Sequence, residues 1–170
     1  MEMIYRKTIE TPLGAMFACA VEEGICLLEF TDRKNMEKQF KSLSKTLNAE
    51  FVEKDHEHFH QLERELTEYF EGKRERFETS LFITGTDFQK KVWQLLTEIP
   101  MGITRTYKQQ SEFLGNLKAI RAVGTANGMN KIAILIPCHR VIGSNGELVG
   151  YAGGIWRKQK LLELEKAILF

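Results

Sequence analysis

Residues 132–141 read IAILIPCHRV, an apolar run that ends in a proline, a cysteine, a histidine and an arginine. A short apolar run predicts a buried strand over residues 132–136, with Cys138 just beyond its end. A thiol reacts as the thiolate, which a neighbouring imidazole or cation favours. Neighbours along an extended chain point in different directions, and a lone cysteine is more often an inert core residue. The stretch therefore indicates either a reactive thiol or a structural one.

Upstream of this stretch, two short helices flank a glycine turn. A capping-box pattern at Thr106 begins a helix that ends near Leu114. Residues 115–116, Gly-Asn, form a tight turn, and a second helix is predicted over residues 117–127. This order of elements is typical of a helix-turn-helix.

The second helix of this pair has two unlike sides. Its inner side is expected to carry apolar and small residues, namely Ile120, Val123, Gly124 and, at the edge, Leu117. Its outer side carries two cations and otherwise small side chains, namely Lys118, Arg121, Ala122 and Thr125. Small residues let a helix approach a groove wall while cations meet phosphate. A well-packed surface helix has the same pattern, and the helix alone supports both interpretations equally.

The N-terminal half predicts a small sheet with two helices. Residues 3–30 alternate between apolar segments and turns at residues 11–14 and 22–24, which is typical of a hairpin or meander. Residues 35–47 and 56–70 carry apolar side chains at helical spacing, so we expect two amphipathic helices there.

A change of composition over residues 73–85 indicates a linker between two parts of the chain. A new helix then begins at the capping box of Thr86, carries a clear apolar stripe and ends at Pro100.

Composition excludes several classes of protein. The chain has 170 residues, of which 43% are hydrophobic and 28% charged, so disordered and fibrous classes are excluded. No stretch reaches the roughly 18 apolar residues of a membrane span. The first ten residues are polar and mixed in charge, unlike a secretory signal. Three cysteines are too few for a disulfide framework, which favours a reducing compartment.

Charge is divided unevenly along the chain. Residues 1–85 hold 12 Lys and Arg against 17 Asp and Glu, a net charge of −5, whereas residues 86–170 hold 12 against 6, a net charge of +6. Such asymmetry favours contact between the second half and a polyanion. A half of this charge is also common in proteins that bind no nucleic acid, so the charge alone decides nothing.

Taken together, these segments resemble the O6-alkylguanine-DNA alkyltransferases. The resemblance rests on residues 121–124 (RAVG), Asn130, and residues 137–141 (PCHRV), 142–143 (IG), 150–154 (GYAGG) and 161–165 (LLELE). In that family they correspond to the recognition helix, a hinge asparagine, the active-site motif, the loop after it and a closing helix. The match is dense from about residue 85 to residue 164 and looser over the N-terminal half.

The resemblance implies an α+β fold in two domains. Residues 1–80 would form a small ribonuclease-H-like α/β domain, and residues 86–170 a mainly helical DNA-binding and alkyl-transfer domain with the helix-turn-helix. It also implies DNA repair, in which an alkyl group moves irreversibly from guanine O6 onto the protein's own cysteine. Such a protein binds duplex DNA through the minor groove and flips the damaged nucleotide out, because a stacked base cannot be reached. Activity on O4-alkylthymine is left open.

Four residues would carry the chemistry in this family. Cys138 would be the nucleophile, and His139 would take its proton through a bound water. Glu165 would hydrogen-bond His139 and favour its protonated form, as in a Cys-His-carboxylate triad. Tyr107 would donate its hydroxyl to guanine N3. On the residues alone, Glu165 would be a solvated helix position and Tyr107 a core position.

The resemblance also assigns a base pocket, formed by Asn130, Val141, Tyr151, Ala152 and Gly153. The carbonyls of Cys138 and Val141 would accept from the exocyclic amine, and the N–H of Ala152 would face O6. Asn130 would tie the recognition helix to the cysteine turn. We call the loop of residues 150–154 the pocket loop. Trp156, just beyond it, is expected to narrow the pocket for bulky benzyl adducts.

The expected partner is double-stranded DNA that contains alkylated guanine. Its contacts would come from Arg121, Lys118, Ala122, Thr125 and Lys108. Arg121 would enter the duplex as a finger, and Lys108, where many relatives have glycine, would add a phosphate contact. We expect a monomer with no membrane partner, in the cytoplasm, at the nucleoid of a prokaryote or in the nucleus of a eukaryote.

We expect no cofactor and no metal. Some relatives hold a structural zinc in the N-terminal domain, but the cysteines and histidines here do not offer that set. His56 and His60 share a helix face but lack the further ligands of a zinc site, so we interpret them as a solvated helix start.

Two other functions compete with alkyl transfer. Alkyltransferase-like proteins bind lesions without reacting and carry another residue at the position of Cys138. A cysteine hydrolase or thiol redox enzyme is disfavoured by the DNA-binding segment and by the absence of a Cys-x-x-Cys pair.

Overall fold

The structure is a computed structural model that describes residues 2–167. The chain divides into two compact units, residues 1–84 and residues 85–170. The first is a sheet with helices and the second is mainly helical, so the predicted α+β class is confirmed. Within the described part of the chain, no helix is long and apolar enough to cross a membrane.

The first unit is built on a four-stranded sheet. Its strands are β1 (Glu2–Ile9), β2 (Met16–Val21), β3 (Gly24–Phe30) and β4 (Ala49–Glu53). Their order is β3-β2-β1-β4, with β1, β2 and β3 antiparallel and β4 parallel to β1. The predicted meander over residues 3–30 is therefore confirmed. Strand β4 was not predicted, because AEFVE is too short and polar to stand out as a strand.

Two amphipathic helices accompany this sheet, α1 (Met36–Leu47) and α2 (Glu57–Phe70), as the apolar spacing predicted. His56 caps α2, because its Nδ1 accepts the backbone N–H of His58 at 3.1 Å. The histidine-rich stretch thus has a structural use. Among residues 2–167, no three His, Cys, Asp or Glu side chains are grouped as metal ligands.

An apolar cluster fills the core of this unit. Its buried members are Ile4, Cys19, Val21, Cys26, Leu27, Met36, Leu43 and Ala49. Burial raises the pKa of Cys19 well above the ordinary thiol range, and Cys26 is equally enclosed at 1% exposure. These two cysteines are therefore core residues.

Over its described residues, 85–167, the second unit holds four α-helices and a two-stranded parallel sheet. In chain order its elements are α3 (Asp87–Thr97), β5 (Arg105–Thr106), α4 (Tyr107–Leu114), α5 (Ile120–Gly128), β6 (Val141–Ile142) and α6 (Ile155–Leu164). Short 3₁₀ turns cover Leu117–Ala119 and Cys138–Arg140. The capping boxes predicted at Thr86 and Thr106 are both present.

Helices α4 and α5 form the predicted helix-turn-helix. Gly115 ends α4 with φ at 85°, a left-handed conformation that glycine adopts without strain. The Asn116 side chain then accepts the N–H of Lys118 at 3.0 Å, and the chain makes a 3₁₀ turn before α5. A helix was predicted over residues 117–127, but the α-helix begins only at residue 120, three residues later.

This late start decides which side of α5 is buried. The buried residues are Ala119, Val123, Ala126 and Asn127, whereas Lys118, Arg121, Ala122 and Thr125 are exposed as expected. The inner placement of Ile120 and Leu117 was wrong, since they are 40% and 56% exposed. The 3₁₀ turn places Ala119 rather than Ile120 in line with Val123.

The strand predicted over residues 132–136 was also wrong. These residues form a buried turn, in which Ile136 N–H donates to the carbonyl of Ile132 at 3.0 Å. Ile134 has φ at 72°, a left-handed conformation that a β-branched residue rarely adopts. The Asn130 side chain replaces the strand's hydrogen bonds by accepting from Ile132 N–H and donating to the Ile136 carbonyl.

Candidate active site

Cys138 begins the 3₁₀ turn between the buried turn at residues 132–136 and strand β6. Its backbone N–H donates to the carbonyl of Ile136 at 2.8 Å, and Arg140 N–H donates to Pro137 at 3.0 Å. The residue is 9% exposed, so the thiol lies at the edge of the protein interior. Because the turn is anchored from both sides, the sequence neighbours of Cys138 are held in fixed directions.

His139 and Glu165 form a fully enclosed pair next to Cys138. Nε2 of His139 lies 2.7 Å from Oε2 of Glu165, and both side chains have no exposed surface. Nδ1 of His139 has no hydrogen-bond partner among the residues described. The structure thus brings His139 and Glu165 together directly after Cys138, although these two residues are separated by 26 positions in sequence.

Arg140 completes this group by binding the same carboxylate. Its Nε and Nη2 donate to the two oxygens of Glu165 at 2.8 and 3.0 Å, and its Nη1 donates to the carbonyl of Ile99 at 2.7 Å. Such a bidentate pair fixes both the position and the charge of the carboxylate. No role was predicted for Arg140 from sequence, and its place inside the PCHRV motif was the available signal.

The charges of this group follow from burial and from Arg140. Burial alone would raise the pKa of Glu165, but His139 and Arg140 outweigh it and lower that pKa to about 2. Burial lowers the pKa of His139, and the attraction of Glu165 does not cancel this effect. Glu165 therefore favours the protonated ring, as expected. The pKa of His139 is nevertheless lowered overall, which favours the neutral ring. An ionised carboxylate only accepts, so Nε2 carries the proton and Nδ1 has the free lone pair.

Tyr107 is the first residue of α4 and is half-buried. Its hydroxyl donates to the carbonyl of Val149 at 3.1 Å, in the loop before α6. Burial raises its pKa, and the nearby Cys138 raises it further. A Cβ on Gly150 would lie 3.5 Å from this hydroxyl, and φ of 64° there also favours glycine. Tyr107 thus lies close to both the cysteine and the pocket loop.

Lys158 is a second residue for which the sequence predicted no role. It is fully buried on α6, and its Nζ donates to the carbonyls of Val149 and Gly150 at 2.8 and 3.2 Å. Burial lowers its pKa to about 8, although Cys138 acts in the opposite direction. The run RKQK contains no signal of this, because such a run is usually a solvated helix face.

Three of the predicted base-pocket residues, Tyr151, Ala152 and Gly153, belong to the pocket loop. Val141 and Gly153 are buried, Tyr151 is half-buried and Ala152 is exposed. Asn130 reaches from the end of α5 to the turn before Cys138, as its hydrogen bonds to Ile132 and Ile136 show. The expected pocket residues are therefore supplied by three separate segments of one unit.

Trp156 lies at the start of α6 and is 53% exposed. A Cβ on Gly154 would come within 3.2 Å of its indole, so the ring lies over the Gly154 backbone. The guanidinium of Arg157 lies 4.6 Å from the ring centroid. The indole is thus held at the end of the pocket loop without filling the core.

The predicted DNA contacts occupy exposed positions. Lys118, Arg121, Ala122 and Thr125 line the exposed side of the 3₁₀ turn and α5, and Lys108 is exposed in the first turn of α4. A cationic, small-residue face on the second helix suits close approach to a nucleic acid.

Two family models match this chain, and together they cover nearly all of it. The 6-O-methylguanine DNA methyltransferase ribonuclease-like domain matches residues 4–83, and the DNA-binding domain of the same family matches residues 87–167. A methylated-DNA--protein-cysteine methyltransferase of Methanosarcina barkeri is 44% identical over 164 residues, which is 96% of this chain and 98% of the relative. The chain belongs to the 6-O-methylguanine DNA methyltransferase family.

Other members of this methyltransferase family agree in sequence and fold. A relative of the same name from Mycobacterium leprae is 39% identical and covers 96% of this chain and 93% of its own. The crystal structure of the Mycobacterium tuberculosis O6-methylguanine methyltransferase has a TM-score of 0.82, 38% identity, and coverage of 97% and 94%. A structure of the M. tuberculosis protein in complex with DNA is equally similar, with 37% identity, coverage of 96% and 93%, and a TM-score of 0.82.

Membership in the methyltransferase family confirms the resemblance on which the fold and function were predicted. Cys138, His139, Arg140 and Glu165 all lie in the segment matched by the family's DNA-binding domain. The ribonuclease-like segment holds none of them, which agrees with the inert surroundings of its two cysteines.

Proposed function

We propose that this protein repairs DNA by moving a methyl or other alkyl group from guanine O6 in duplex DNA to Sγ of its own Cys138. The observation that best supports this proposal is the buried His139–Glu165 pair, in which His139 directly follows Cys138, in a chain of the methyltransferase family. The product is a thioether that no group on the protein reverses, so each molecule acts once. The activity is that of a methylated-DNA--protein-cysteine S-methyltransferase.

The balance of protons and electrons supports this step. His139 is neutral and presents Nδ1 as a lone pair, so it accepts the thiol proton, through a bound water in the proposed arrangement. Sγ then attacks the alkyl carbon, the S–C bond forms and the C–O6 bond breaks with its electron pair on guanine. The guanine anion regains one proton, so the sum is thiol plus alkylguanine to thioether plus guanine.

Tyr107 is proposed to stabilise the departing base by donating to N3. Its hydroxyl donates to the carbonyl of Val149, which Lys158 also binds. Tyr107 can therefore turn toward a base without leaving that carbonyl unpaired. The proposed pocket around the base comprises Asn130, Val141, Tyr151, Ala152 and Gly153, with the carbonyls of Cys138 and Val141 selecting the exocyclic amine.

The partner is double-stranded DNA, approached from the minor groove by α5. Two features support this contact: the exposed face of α5, and the net positive charge of residues 86–170, to which α5 belongs. In the proposed complex, Arg121 fills the space that the flipped nucleotide leaves. Lys118, Ala122, Thr125 and Lys108 would contact the groove and phosphates. We propose one domain over residues 1–80 and another over residues 86–170, in a monomer that needs no cofactor. We propose that it acts in the cytoplasm, at the nucleoid in a prokaryote, or in the nucleus in a eukaryote.

The deciding experiment is intact mass before and after incubation with a duplex that carries one O6-methylguanine. We expect a gain of one methylene per molecule, mapped to Cys138. The Cys138→Ser variant is the control and should bind the duplex without gaining mass. Tight lesion binding by the natural chain without a mass gain would indicate a lesion-recognition protein. Transfer that persists in Cys138→Ser would place the nucleophile elsewhere.

A further inference from the structure

Two basic residues of α6 are buried, and no step of the proposed mechanism uses either of them. Arg157 is 5% exposed and Lys158 is fully enclosed. Lys158 Nζ donates to the carbonyl of Gly150 at 3.2 Å and to that of Val149, the residue before the pocket loop, at 2.8 Å. Arg157 Nη1 donates to the carbonyl of Gly153 at 3.0 Å. The pocket loop is therefore bound to side chains of α6 near both of its ends.

The pocket loop also contains a hydrogen bond of its own. Gly154 N–H donates to the carbonyl of Tyr151 at 2.9 Å, which closes a turn over residues 151–154. The peptide unit that joins Gly153 to Gly154 is thus held at both ends. Arg157 binds its carbonyl, and Tyr151 accepts its N–H.

These bonds fix the direction of the N–H groups in the loop. A trans peptide unit is planar, with its carbonyl and its N–H pointing in opposite directions. The carbonyl of Tyr151 faces the Gly154 N–H, so the N–H of Ala152, in the same peptide unit as that carbonyl, points the other way. Lys158 likewise turns the Tyr151 N–H away from itself by binding the Gly150 carbonyl. Within the described part of the chain, the Ala152 N–H makes no hydrogen bond.

A charged donor at a carbonyl also strengthens the N–H at the other end of the same peptide unit, because hydrogen bonds in series polarise one another. Burial lowers the pKa of Lys158 to about 8, so the side chain is mostly charged at pH 7. Fixed donors are most effective where negative charge develops. In the proposed reaction that place is the guanine, as it loses its alkyl group.

We propose that Arg157 and Lys158 are positioning residues for alkyl transfer, which hold the peptide units of the pocket loop so that the Ala152 N–H faces O6 of the flipped guanine. Arg157 acts through the Gly153 carbonyl, and Lys158 acts through the Gly150 carbonyl. Neither side chain touches a reacting atom. The inference rests on the proposed function, because it concerns the step in which the C–O6 bond breaks and its electron pair stays on the base.

Proline at position 152 gives a direct test, because it deletes the N–H and is compatible with the turn. Ala152 is the second residue of the turn over residues 151–154, a position that favours proline, and its φ is not positive. The measured quantity is the single-turnover rate constant with a saturating O6-methylguanine duplex. It is determined for the natural chain, Ala152→Pro, Arg157→Met, Lys158→Met and the combination of each methionine variant with Ala152→Pro.

We expect Ala152→Pro alone to slow transfer roughly 10- to 100-fold, as the loss of one fixed donor does. Each methionine variant should slow transfer roughly 5- to 50-fold in the natural background and less than about twofold in the Ala152→Pro background. Equal losses in the two backgrounds would overturn the proposal for that residue, because it would then not act through the Ala152 N–H. A natural rate in Ala152→Pro would overturn it for both.

A second reaction of the same thiol separates positioning from damage to the cysteine. Iodide leaves without help from a hydrogen bond, so alkylation of Cys138 by iodoacetamide should change by less than about threefold in either methionine variant. A loss as large with iodoacetamide as with the duplex would overturn the proposal, because the thiol rather than the pocket loop would then be affected. Lys160→Met is the matched control. This lysine of α6 has a side chain that is 60% exposed, and its loss should leave both rates unchanged.

Binding to an undamaged duplex shows whether each variant is folded, since the proposed groove contacts come from α5, and it should change by less than about twofold. If Lys158→Met does not fold, Lys158→Gln enters the same cycle, because glutamine removes the charge and keeps a donor. The natural chain separates this proposal from the one on which it rests. No transfer by the natural chain removes the proposed function. Transfer by the natural chain with equal losses in the cycle removes only the role of Arg157 and Lys158.

Discussion

Glu165 is the residue on which the geometry of the site most depends. One oxygen accepts from Arg140 Nε, and the other accepts from both Arg140 Nη2 and His139 Nε2. A single carboxylate therefore fixes the tautomer of His139 and balances the guanidinium of Arg140, which is only 7% exposed. The same set of hydrogen bonds therefore decides which nitrogen of His139 carries the proton and keeps the buried charge of Arg140 paired.

Replacing Glu165 by glutamine should destabilise the protein strongly. The change leaves Arg140 buried without a counter-charge, for which we expect a loss of about 3–5 kcal/mol in the free energy of unfolding. Chemical denaturation measures it. Glu163→Gln is the matched control, since this exposed neighbour on α6 should change stability by less than about 0.5 kcal/mol. A loss below about 1 kcal/mol for Glu165→Gln would contradict the assigned geometry.

The pH dependence follows from the same group. Glu165 has its pKa lowered from 4.5 to about 2, so its contribution to stability is complete above pH 4.5 and lost as pH falls toward 2. His139 has a pKa below 6.5, so the ring is neutral at pH 7 and available as a base. Single-turnover rate constants should therefore fall only below pH 6.5 on the acid side. An acid-side inflection above pH 7 would show that His139 is charged at rest.

The roles of single residues were predictable only where a motif carried them. The PCHRV run and the closing LLELE segment pointed to Cys138, His139 and Glu165 through resemblance. The place of Lys158 was not predictable, because a lysine in a charged helix usually has an ordinary structural use. Its significance comes from burial against the carbonyls of Val149 and Gly150, which only the folded chain brings together.

Among the helices, α5 supports the sharpest prediction. Its exposed face carries Arg121, the proposed finger. Arg121→Ala should slow repair of an O6-methylguanine duplex at least roughly tenfold more than it slows the reaction with free O6-benzylguanine. The reason is that only the duplex requires base flipping. Single-turnover kinetics on the two substrates measure the difference.

Lys118→Ala is the control for this prediction. Lys118 is expected to contact phosphate rather than enter the stack, so its loss should weaken binding, and higher protein concentration should restore the repair rate. Equal slowing of Arg121→Ala on duplex and free base would mean that Arg121 has no part in flipping.

The start of α6 supports a prediction about substrate size. Trp156 lies over Gly154 and is half-exposed, so removing its indole opens the loop end without leaving a core cavity. Trp156→Ala should raise the rate with O6-benzylguanine several-fold relative to O6-methylguanine, and change stability by less than about 1 kcal/mol. Comparable rates on O6-benzylguanine for both proteins would show that the ring does not limit the pocket.

Element prediction succeeded where local signals were strong and failed where distant contacts decide. Capping boxes identify the starts of α3 and α4 because both partners lie within four residues. The run at residues 132–136 was wrong as a strand because its hydrogen bonds are supplied by the side chain of Asn130. The short strand β4 is fixed by parallel pairing with β1, which no local pattern shows.

For the whole molecule, the uneven charge predicts strong salt dependence of DNA binding. Each phosphate contact that is lost should reduce the slope of log affinity against log salt by about 0.9. We therefore expect Lys118→Gln and Lys108→Gln each to lower the slope by about one. Lys38→Gln, on α1 of the acidic first unit, is the control and should leave the slope unchanged. Unchanged slopes for all three variants would contradict the assigned DNA face.

The left-handed Ile134 has a consequence for how this protein can evolve. The backbone favours glycine or asparagine there, whereas the surrounding interior, in which the side chain is 2% exposed, favours a large apolar group. Glycine would relieve a strain of about 1–3 kcal/mol but open a hole, and asparagine would bury an amide. Neither of these two substitutions meets both demands. Position 134 should therefore reject small and polar residues in a saturation library, although it contacts neither DNA nor the alkyl group in the proposed mechanism.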